Sequence, residues 1–276
     1  MRVSVHLLTK DRPTEASILL NSLRHQTFKD WDLVIWDEGK ESINNYKYVT
    51  DVLNRIKLEK HSIFYTKNNL KKGISHARNM CVETDRFNDV FIRIDDDSVC
   101  EPDYIERLVS VYLNNKKKDG KDCCVGGLVP PFNSPEFYRD CTNMKVFNKA
   151  HFDENGIYRN DDGGYVWLPH RIIPSHHLRS SFLFTRKIWE DVGGFKLSSN
   201  IGWEEETLFC FEAIYKGYKL FTDTGAICFH AHGRSGGARL PTAEYEELRK
   251  RIEDAFQKRM KRLYMREGNK FIDTNG

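Results

Sequence analysis

Apolar and polar positions follow two periods along the chain, and the periods take turns. Short apolar runs at Val3–Leu8, Leu33–Trp36, Ser62–Tyr65, Val90–Ile94 and Cys123–Val129 have the length and content of buried strands. Between them, Thr14–His25, Ile43–Leu58, Ile74–Thr84 and Tyr104–Asn115 carry the wider apolar spacing of amphipathic helices. Pro13 stands just inside the first helix and Pro102 just before the fourth, where a missing N–H is tolerated. Such alternation predicts a mostly parallel sheet with helices on both faces. Ligands of these sheets bind beyond the carboxyl ends of the strands. Those ends carry Thr9, Asp37 and Asp95-Asp96-Asp97.

The regular pattern dissolves from Pro130 to Pro174, which is rich in Pro, Gly, Asn, Asp and aromatics and contains Asn160-Asp161-Asp162-Gly163-Gly164. Long loops or a small irregular sheet over the strand ends are expected there, the usual place for substrate selection. Periodicity returns as a strand at Ser181–Thr185, a short helix, Gly193-Gly194, and a helix from Glu204 to Lys216. Two strands follow, Lys219–Thr222 and Ala226–Phe229, and Pro241 opens a final helix to about Tyr264.

Composition narrows the class. The 276 residues are 39% hydrophobic and 30% charged, with no apolar run of the ~20 residues a membrane helix needs. The N-terminus reads as a strand rather than a signal peptide. Seven cysteines without a C-x-x-C pair argue against a disulfide framework or a four-cysteine zinc site, and a reducing cytosol is the simplest setting. A net charge of +3 is too small to imply nucleic acid.

The chemistry concentrates in five places. Asp95-Asp96-Asp97 follows the run Val90–Ile94, and three carboxylates at a strand mouth repel each other unless a cation intervenes. A hard divalent ion with oxygen ligands is the usual cation, and an extended backbone would point Asp95 and Asp97 the same way. The competing reading is a solvated turn, with Asp97 or Ser98 as N-cap of the next helix. Asp37, in Trp36-Asp37-Glu38-Gly39, suits either a base imide or ribose hydroxyl, or a simple turn in which Gly39 supplies a positive φ. Arg78, one turn into the helix opened by Gly73, would reach an anion or lie on the surface. Glu204-Glu205-Glu206 beside Trp203 suits a general base, or simply a helix N-terminus. Cys228, His230 and His232 share one strand face at period two, and imidazole is a good metal ligand. Neither G-x-G-x-x-G nor G-x-x-x-x-G-K-[ST] is present, which removes the two commonest nucleotide loops.

In their order, these pieces resemble the family 2 glycosyltransferases. The resemblance runs through Thr9-Lys10-Asp11-Arg12-Pro13, Ser22-Leu23-Arg24-His25-Gln26-Thr27-Phe28, Asp37-Glu38-Gly39, Gly73 to Asn79, Asp95-Asp96-Asp97, Val192-Gly193-Gly194-Phe195, the acids at 204–206, Gly217-Tyr218-Lys219 and a late-strand histidine. It covers roughly residues 1 to 237 and implies a GT-A fold, a Rossmann-like, mixed and mostly parallel sheet flanked by helices. Residues 1–240 would form the glycosyltransferase domain, with a nucleotide-binding half to 129 and an acceptor half from 130 to 240. Residues 241–276 would be a helical extension.

The activity the resemblance implies is inverting transfer from a nucleotide-sugar, most often a UDP-sugar, with Mn²⁺ or Mg²⁺. Hexosyl or N-acetylhexosaminyl transfer to a glycan or lipid-linked acceptor is expected. Thr9, Arg12, Asp37, Arg78, Asp95 and Asp96 would bind the donor, and Asp97 and His230 the metal, with His232 as rival. Glu205 aligns best with the base, although the family's usual residue is Asp and Glu204 and Glu206 remain rivals. The extension, with Arg249-Lys250-Arg251 and Lys258-Arg259-Met260-Lys261-Arg262, is expected to be an exposed helix packed on the sheet. Its functional reading is a peripheral membrane contact from the cytoplasm. The rival classes are an inactive nucleotide-sugar-binding or assembly protein and a transferase acting on nucleic acid.

Overall fold

The computed structural model describes residues 1–69, 72–132, 150–160, 171–196, 202, 204–231 and 242–268. Strands β1 (Val3–Thr9), β2 (Trp31–Asp37), β3 (Ile63–Lys67) and β4 (Val90–Asp95) are parallel neighbours in the order β3-β2-β1-β4. Register makes their ends level: Thr9 lies beside Asp37, and Leu8 beside Asp95. Alternate residues feed two cores. Val3, Val5, Leu7, Leu33 and Ile35 pack with apolar residues of helices α1 (Pro13–Arg24), α2 (Lys47–Leu58) and α4 (Tyr104–Asp119). Val34 and Trp36 pack on Ala77 and Cys81 of α3 (Ile74–Thr84). Burial on both faces is why these strands are continuously apolar rather than alternating.

Beyond β4 the sheet becomes mixed. Strands β5 (Ser98–Cys100) and β6 (Cys123–Leu128) precede a separate hairpin of β7 (Ala150–Phe152) and β8 (Tyr158–Asn160). Then come β9 (Ile172–Pro174), β10 (Phe182–Thr185) and β11 (Lys219–His230). The main sheet runs on as β4-β10-β6-β11-β5, with β10 antiparallel to both its neighbours. Helices α5 (Arg186–Val192), α6 (Glu205–Tyr215) and α7 (Thr242–Glu267) complete the described elements. Phe256, Met260 and Leu263 of α7 are buried in the core around α6, and Arg259 donates to Glu212 of α6. Each such side chain contributes roughly 1.5–3 kcal/mol by burial.

Three expectations change. The chain after Asp97 does not cap a helix: Asp96 and Asp97 form a turn, β5 follows at once, and α4 starts only after Asp103. The backbone from Asp95 to Asp97 is therefore not extended throughout. Second, residues 219–230 form one strand rather than two. Asp223 Oδ1 accepts from the Gly225 N–H at 2.8 Å, and the register shifts between Asp223 and Ile227 as a bulge. Gly127 makes this close approach possible, because a Cβ there would lie 2.1 Å from the Ala226 carbonyl oxygen. Third, Ile43–Leu58 divides at Tyr46, whose extended backbone separates a single 3-10 turn (Ile43–Asn45) from α2.

Candidate active site

The β4–β5 turn is held by protein cations. Thr9 Oγ1 donates to Asp96 at 3.0 Å, and Arg12 Nη1 donates to the other Asp96 oxygen at 2.9 Å. The same Arg12 nitrogen lies 3.0 Å from Asp97 Oδ2, while His230 Nε2 lies 2.9 Å from Asp97 Oδ1. Asp95 receives Arg78, which also donates to the Ile94 carbonyl. Register makes the cluster: β11 pairs with β5 so that His230 stands opposite Ser98, one residue after Asp97. Burial pushes the Asp96 carboxyl up to about 6, with the Asp97 charge adding to it and Arg12 and Thr9 opposing. Burial would lower His230, but its hydrogen bond to Asp97 and the Asp95 and Asp97 charges outweigh that and raise it. Arg78, read from the sequence as either an anion partner or a surface residue, is 2% exposed.

Asp37 is placed differently. Its Oδ1 accepts from the Gly39 N–H at 2.8 Å, and its Oδ2 accepts from the Ile43 N–H at 2.9 Å and the Tyr65 hydroxyl at 2.5 Å. The side chain is fully buried, so the carboxylate organises the turn after β2. Gly39 does not supply a positive φ, as one reading expected. It is small because a Cβ would sit 2.9 Å from the Glu41 carbonyl oxygen and 3.0 Å from the Asp11 N–H nitrogen. Glu38, the next carboxylate, accepts from Trp36 and Asn68 through the one oxygen Oε1.

The three glutamates separate in space. Glu204 is left-handed, with φ of 59°, and precedes α6. Glu205 turns into the core at 2% exposure, and the Glu206 side chain keeps 22%. Arg93, inside β4, meets both: its Nη2 lies 3.4 Å from Glu205 Oε1, and its Nη1 lies 4.0 Å from Glu206 Oε2. The same Nη2 is 3.7 Å from Asp95 Oδ1, so one guanidinium joins the β4–β5 turn to α6. Glu205 Oε2 is buried and accepts no hydrogen bond among the described residues. Burial, then the Glu206 charge, pushes the Glu205 carboxyl above the ordinary range, with Arg93 and Arg78 opposing. Burial acts on Glu206 too, but Arg93, the Glu205 hydrogen bond and His177 outweigh it and hold Glu206 low.

Asp97 and His230 fit a divalent ion as a pair. Asp97 Oδ1 and His230 Nε2 now share a direct hydrogen bond of 2.9 Å, and two cis ligands of an octahedral ion at about 2.1 Å would stand about as far apart, so both could turn to an ion with little movement. Among the described residues no group of three His, Cys, Asp or Glu surrounds a metal position. Cys228 does not join them. It is fully buried, with its Sγ 3.3 Å from that of Cys100 across the β5–β11 pair. His232, Trp203 and the Gly233–Leu240 loop lie outside the described residues.

Two functional-looking residues escape the sequence reading. Arg93 sits within a run read only as apolar, and a lone charge inside a buried strand was the available signal. Asn79 clamps the Gly193-Gly194-Phe195 turn. Its Oδ1 accepts from the Phe195 N–H at 2.8 Å and Trp189 Nε1 at 2.9 Å, and its Nδ2 donates to the Phe195 carbonyl at 2.9 Å.

The family model described as Glycosyl transferase family 2 matches residues 4–183. A glucosyl-dolichyl phosphate glucuronosyltransferase of Haloferax volcanii is 34% identical over 143 residues, 50% of this chain and 42% of that protein. The chain thus spans less than half of that relative's length. Among solved structures, GalNAc-T7 with UDP, GalNAc and Mn²⁺ matches with a TM-score of 0.66 at 14% identity, over 92% of this chain and 48% of that one. TarS 1–349 of S. aureus with UDP-GlcNAc gives 0.61 at 12%, over 91% and 65%. The mannosyltransferase PcManGT of Pyrobaculum calidifontis, with GDP-Man and Mn²⁺, gives 0.58 at 15%, over 94% and 62%. At these identities the likeness establishes the GT-A fold.

Proposed function

Because the chain belongs to the glycosyl transferase family 2, we propose that it moves a sugar from a nucleotide-sugar donor to an acceptor hydroxyl with inversion, using Glu205 as the base. One observation carries this reading: a single buried guanidinium nitrogen of Arg93 contacts Asp95 of the β4–β5 turn and Glu205 of α6. Donor-side and acceptor-side carboxylates therefore share one site.

Thr9, Arg12, Arg78, Asp95 and Asp96 would face the donor, and Asp37 would act through the turn it holds rather than by direct contact. Asp97 and His230 would hold Mn²⁺ or Mg²⁺, which when bound offsets the charge developing on the leaving diphosphate. The buried guanidinium of Arg78 adds fixed positive charge at the same edge. Opposite it, Glu205 Oε2 takes the proton of the acceptor hydroxyl. The hydroxyl oxygen bonds to the anomeric carbon, and the electron pair of the breaking carbon–oxygen bond leaves with the diphosphate. One displacement inverts the anomeric centre, and no second nucleophile is required.

A UDP-sugar is the favoured donor. The Haloferax relative is a glucuronosyltransferase by name, so UDP-glucuronate stands beside the hexose and N-acetylhexosamine donors. A phosphate-bearing lipid acceptor fits a cavity of about 490 Å³ on α7 lined by Lys258, Arg259, Arg262 and Arg266. No helix among the described residues is long and apolar enough to cross a membrane.

The test is thermal melting with UDP, GDP, CDP and dTDP, each with Mn²⁺ or EDTA, on wild type and Asp97→Ala. A ligand that binds only the native state raises the melting temperature. Metal-dependent stabilisation by one nucleotide, lost in Asp97→Ala, is expected. No shift with any nucleotide sinks the donor assignment and favours the binding-protein reading.

A further inference from the structure

Arg93 is an unusual investment for a strand interior. Its side chain is 2% exposed, and register puts it between His6 of β1 and Phe182 of β10. The guanidinium lies 5.3 Å from the Phe182 ring centroid and 5.6 Å from that of Phe195. These rings favour a cation electrostatically while keeping water out. Yet Arg93 Nε and Nη1 are buried without a hydrogen-bond partner among the described residues. A buried guanidinium that leaves donors unused carries a cost which packing alone would not select. What it does reach is acidic: Glu205, Asp95 and, more distantly, Glu206.

We propose that Arg93 is a positioning residue of the transfer reaction: its Nη2 holds Glu205 Oε1 and Asp95 Oδ1 and so sets which carboxyl oxygen of Glu205 is turned to the acceptor hydroxyl. The inference rests on the reading of Glu205 as the base. Burial and the Glu206 charge raise the Glu205 carboxyl, and Arg93 and Arg78 oppose that rise, so removing Arg93 should raise it further. The charged and titratable groups that act on it are Glu206 on α6, Arg93 on β4 and Arg78 on α3; Asp95 of β4 and Cys210 of α6 act on Arg93 in turn, and His177, between β9 and β10, on Glu206. Glu206 works against ionisation of Glu205, and the two arginines work for it. Of those two, Arg93 also fixes direction, because its Nη2 faces Oε1 at 3.4 Å. A lysine in its place would supply charge without a planar fork able to face two carboxylates at once.

The experiment reads the Glu205 carboxyl directly. Protein labelled with ¹³C at the glutamate side-chain carboxyl is titrated by NMR, and the resonance absent from Glu205→Gln is that of Glu205. In parallel, UDP release from UDP-glucuronate, UDP-glucose and UDP-N-acetylglucosamine is measured with Mn²⁺ and water as acceptor. In Arg93→Met the Glu205 midpoint should rise by about one to three units, the range for losing an opposite charge at this distance. In Arg93→Lys the midpoint should stay near wild type while UDP release falls about tenfold or more, as expected when a positioned group loses its orientation. A wild-type midpoint in Arg93→Met overturns the inference. If that variant does not fold, Arg93→Lys decides: undiminished UDP release, or, where release is too slow to follow, a midpoint displaced despite the retained charge, overturns it equally. The two readings fail separately. Glu205→Gln with undiminished UDP release removes the base assignment itself. A wild-type titration in Arg93→Met beside an inactive Glu205→Gln removes only the role of Arg93.

Discussion

At the β4–β5 turn every carboxylate has a hydroxyl, guanidinium or imidazole within reach, whereas at Glu205 one oxygen faces Arg93 and the other accepts nothing. The two regions meet at a single nitrogen but are built to opposite ends. The turn is held together by protein cations, and on the proposed reading it would bind the donor. The Glu205 corner instead sets two carboxyls side by side, and Glu206 raises Glu205 while Arg93 and Arg78 oppose it, an arrangement that on the proposed reading suits proton transfer.

The sharpest way to break this contrast is to silence one corner and leave the other. Glu205→Gln keeps shape and removes the charge. It should lower turnover by about 10²–10⁴-fold, the usual contribution of a general base, while the melting shift produced by UDP and Mn²⁺ persists. A Glu205→Gln protein that loses the UDP shift as well would show that the corner and the turn are not separable.

The converse substitution acts on binding. Asp97→Ala removes the residue that faces both Arg12 and His230. Ligand-linked stabilisation of about 2.7 kcal/mol, the value for ligand at one hundred times its dissociation constant, should vanish with Mn²⁺ and become indifferent to EDTA. An EDTA-sensitive shift remaining in Asp97→Ala would mean that the ion sits elsewhere.

A third substitution tests the support beneath the corner. Asn79→Ala removes the clamp on the Gly194–Phe195 backbone, and Phe195 is one of the two rings under Arg93. The expected cost is about 1–3 kcal/mol, the range for leaving buried polar groups unpaired, measured by urea unfolding. Turnover should fall further than UDP binding does. Equal losses in both would place Asn79 in general stability rather than beneath Glu205.

The same contrast explains what could be read from the sequence. The parallel half of the sheet was legible because β1, β2 and β4 are buried on both faces and their helices are amphipathic. The ends of those strands then named Thr9 and Asp95–Asp97 without any structure. Short β5 and bulged β11 were not legible, since Asp223-Thr224-Gly225 has the composition of a turn and only pairing with β6 shows that the strand continues. Asp37 could be seen at its strand end, but not that three protein donors already use its carboxylate. Arg93 was hidden for a deeper reason. Its meaning lies in Glu205, 112 residues away, and no local pattern reports a pair at that separation.

The smallest expected effect separates the regions by backbone alone. Each has a non-glycine residue in the left-handed region: Asp11, with φ of 56°, beside the turn, and Glu204, with φ of 59°, beside the base. Aspartate tolerates this conformation better than most residues, and here its side chain is also used, since Asp11 Oδ1 accepts from the Lys40 N–H at 2.6 Å. Asp11→Gly should therefore destabilise, by about 0.5–1.5 kcal/mol for the lost hydrogen bond. Glu204 is a longer residue in the same region, and its backbone contributes to α6 through the Leu208 N–H to Glu204 carbonyl bond at 3.0 Å. Thermal melting of Asp11→Gly against wild type checks the turn side of the contrast. An unchanged or raised melting temperature would mean that the Lys40 N–H bond does not hold the backbone beside the turn.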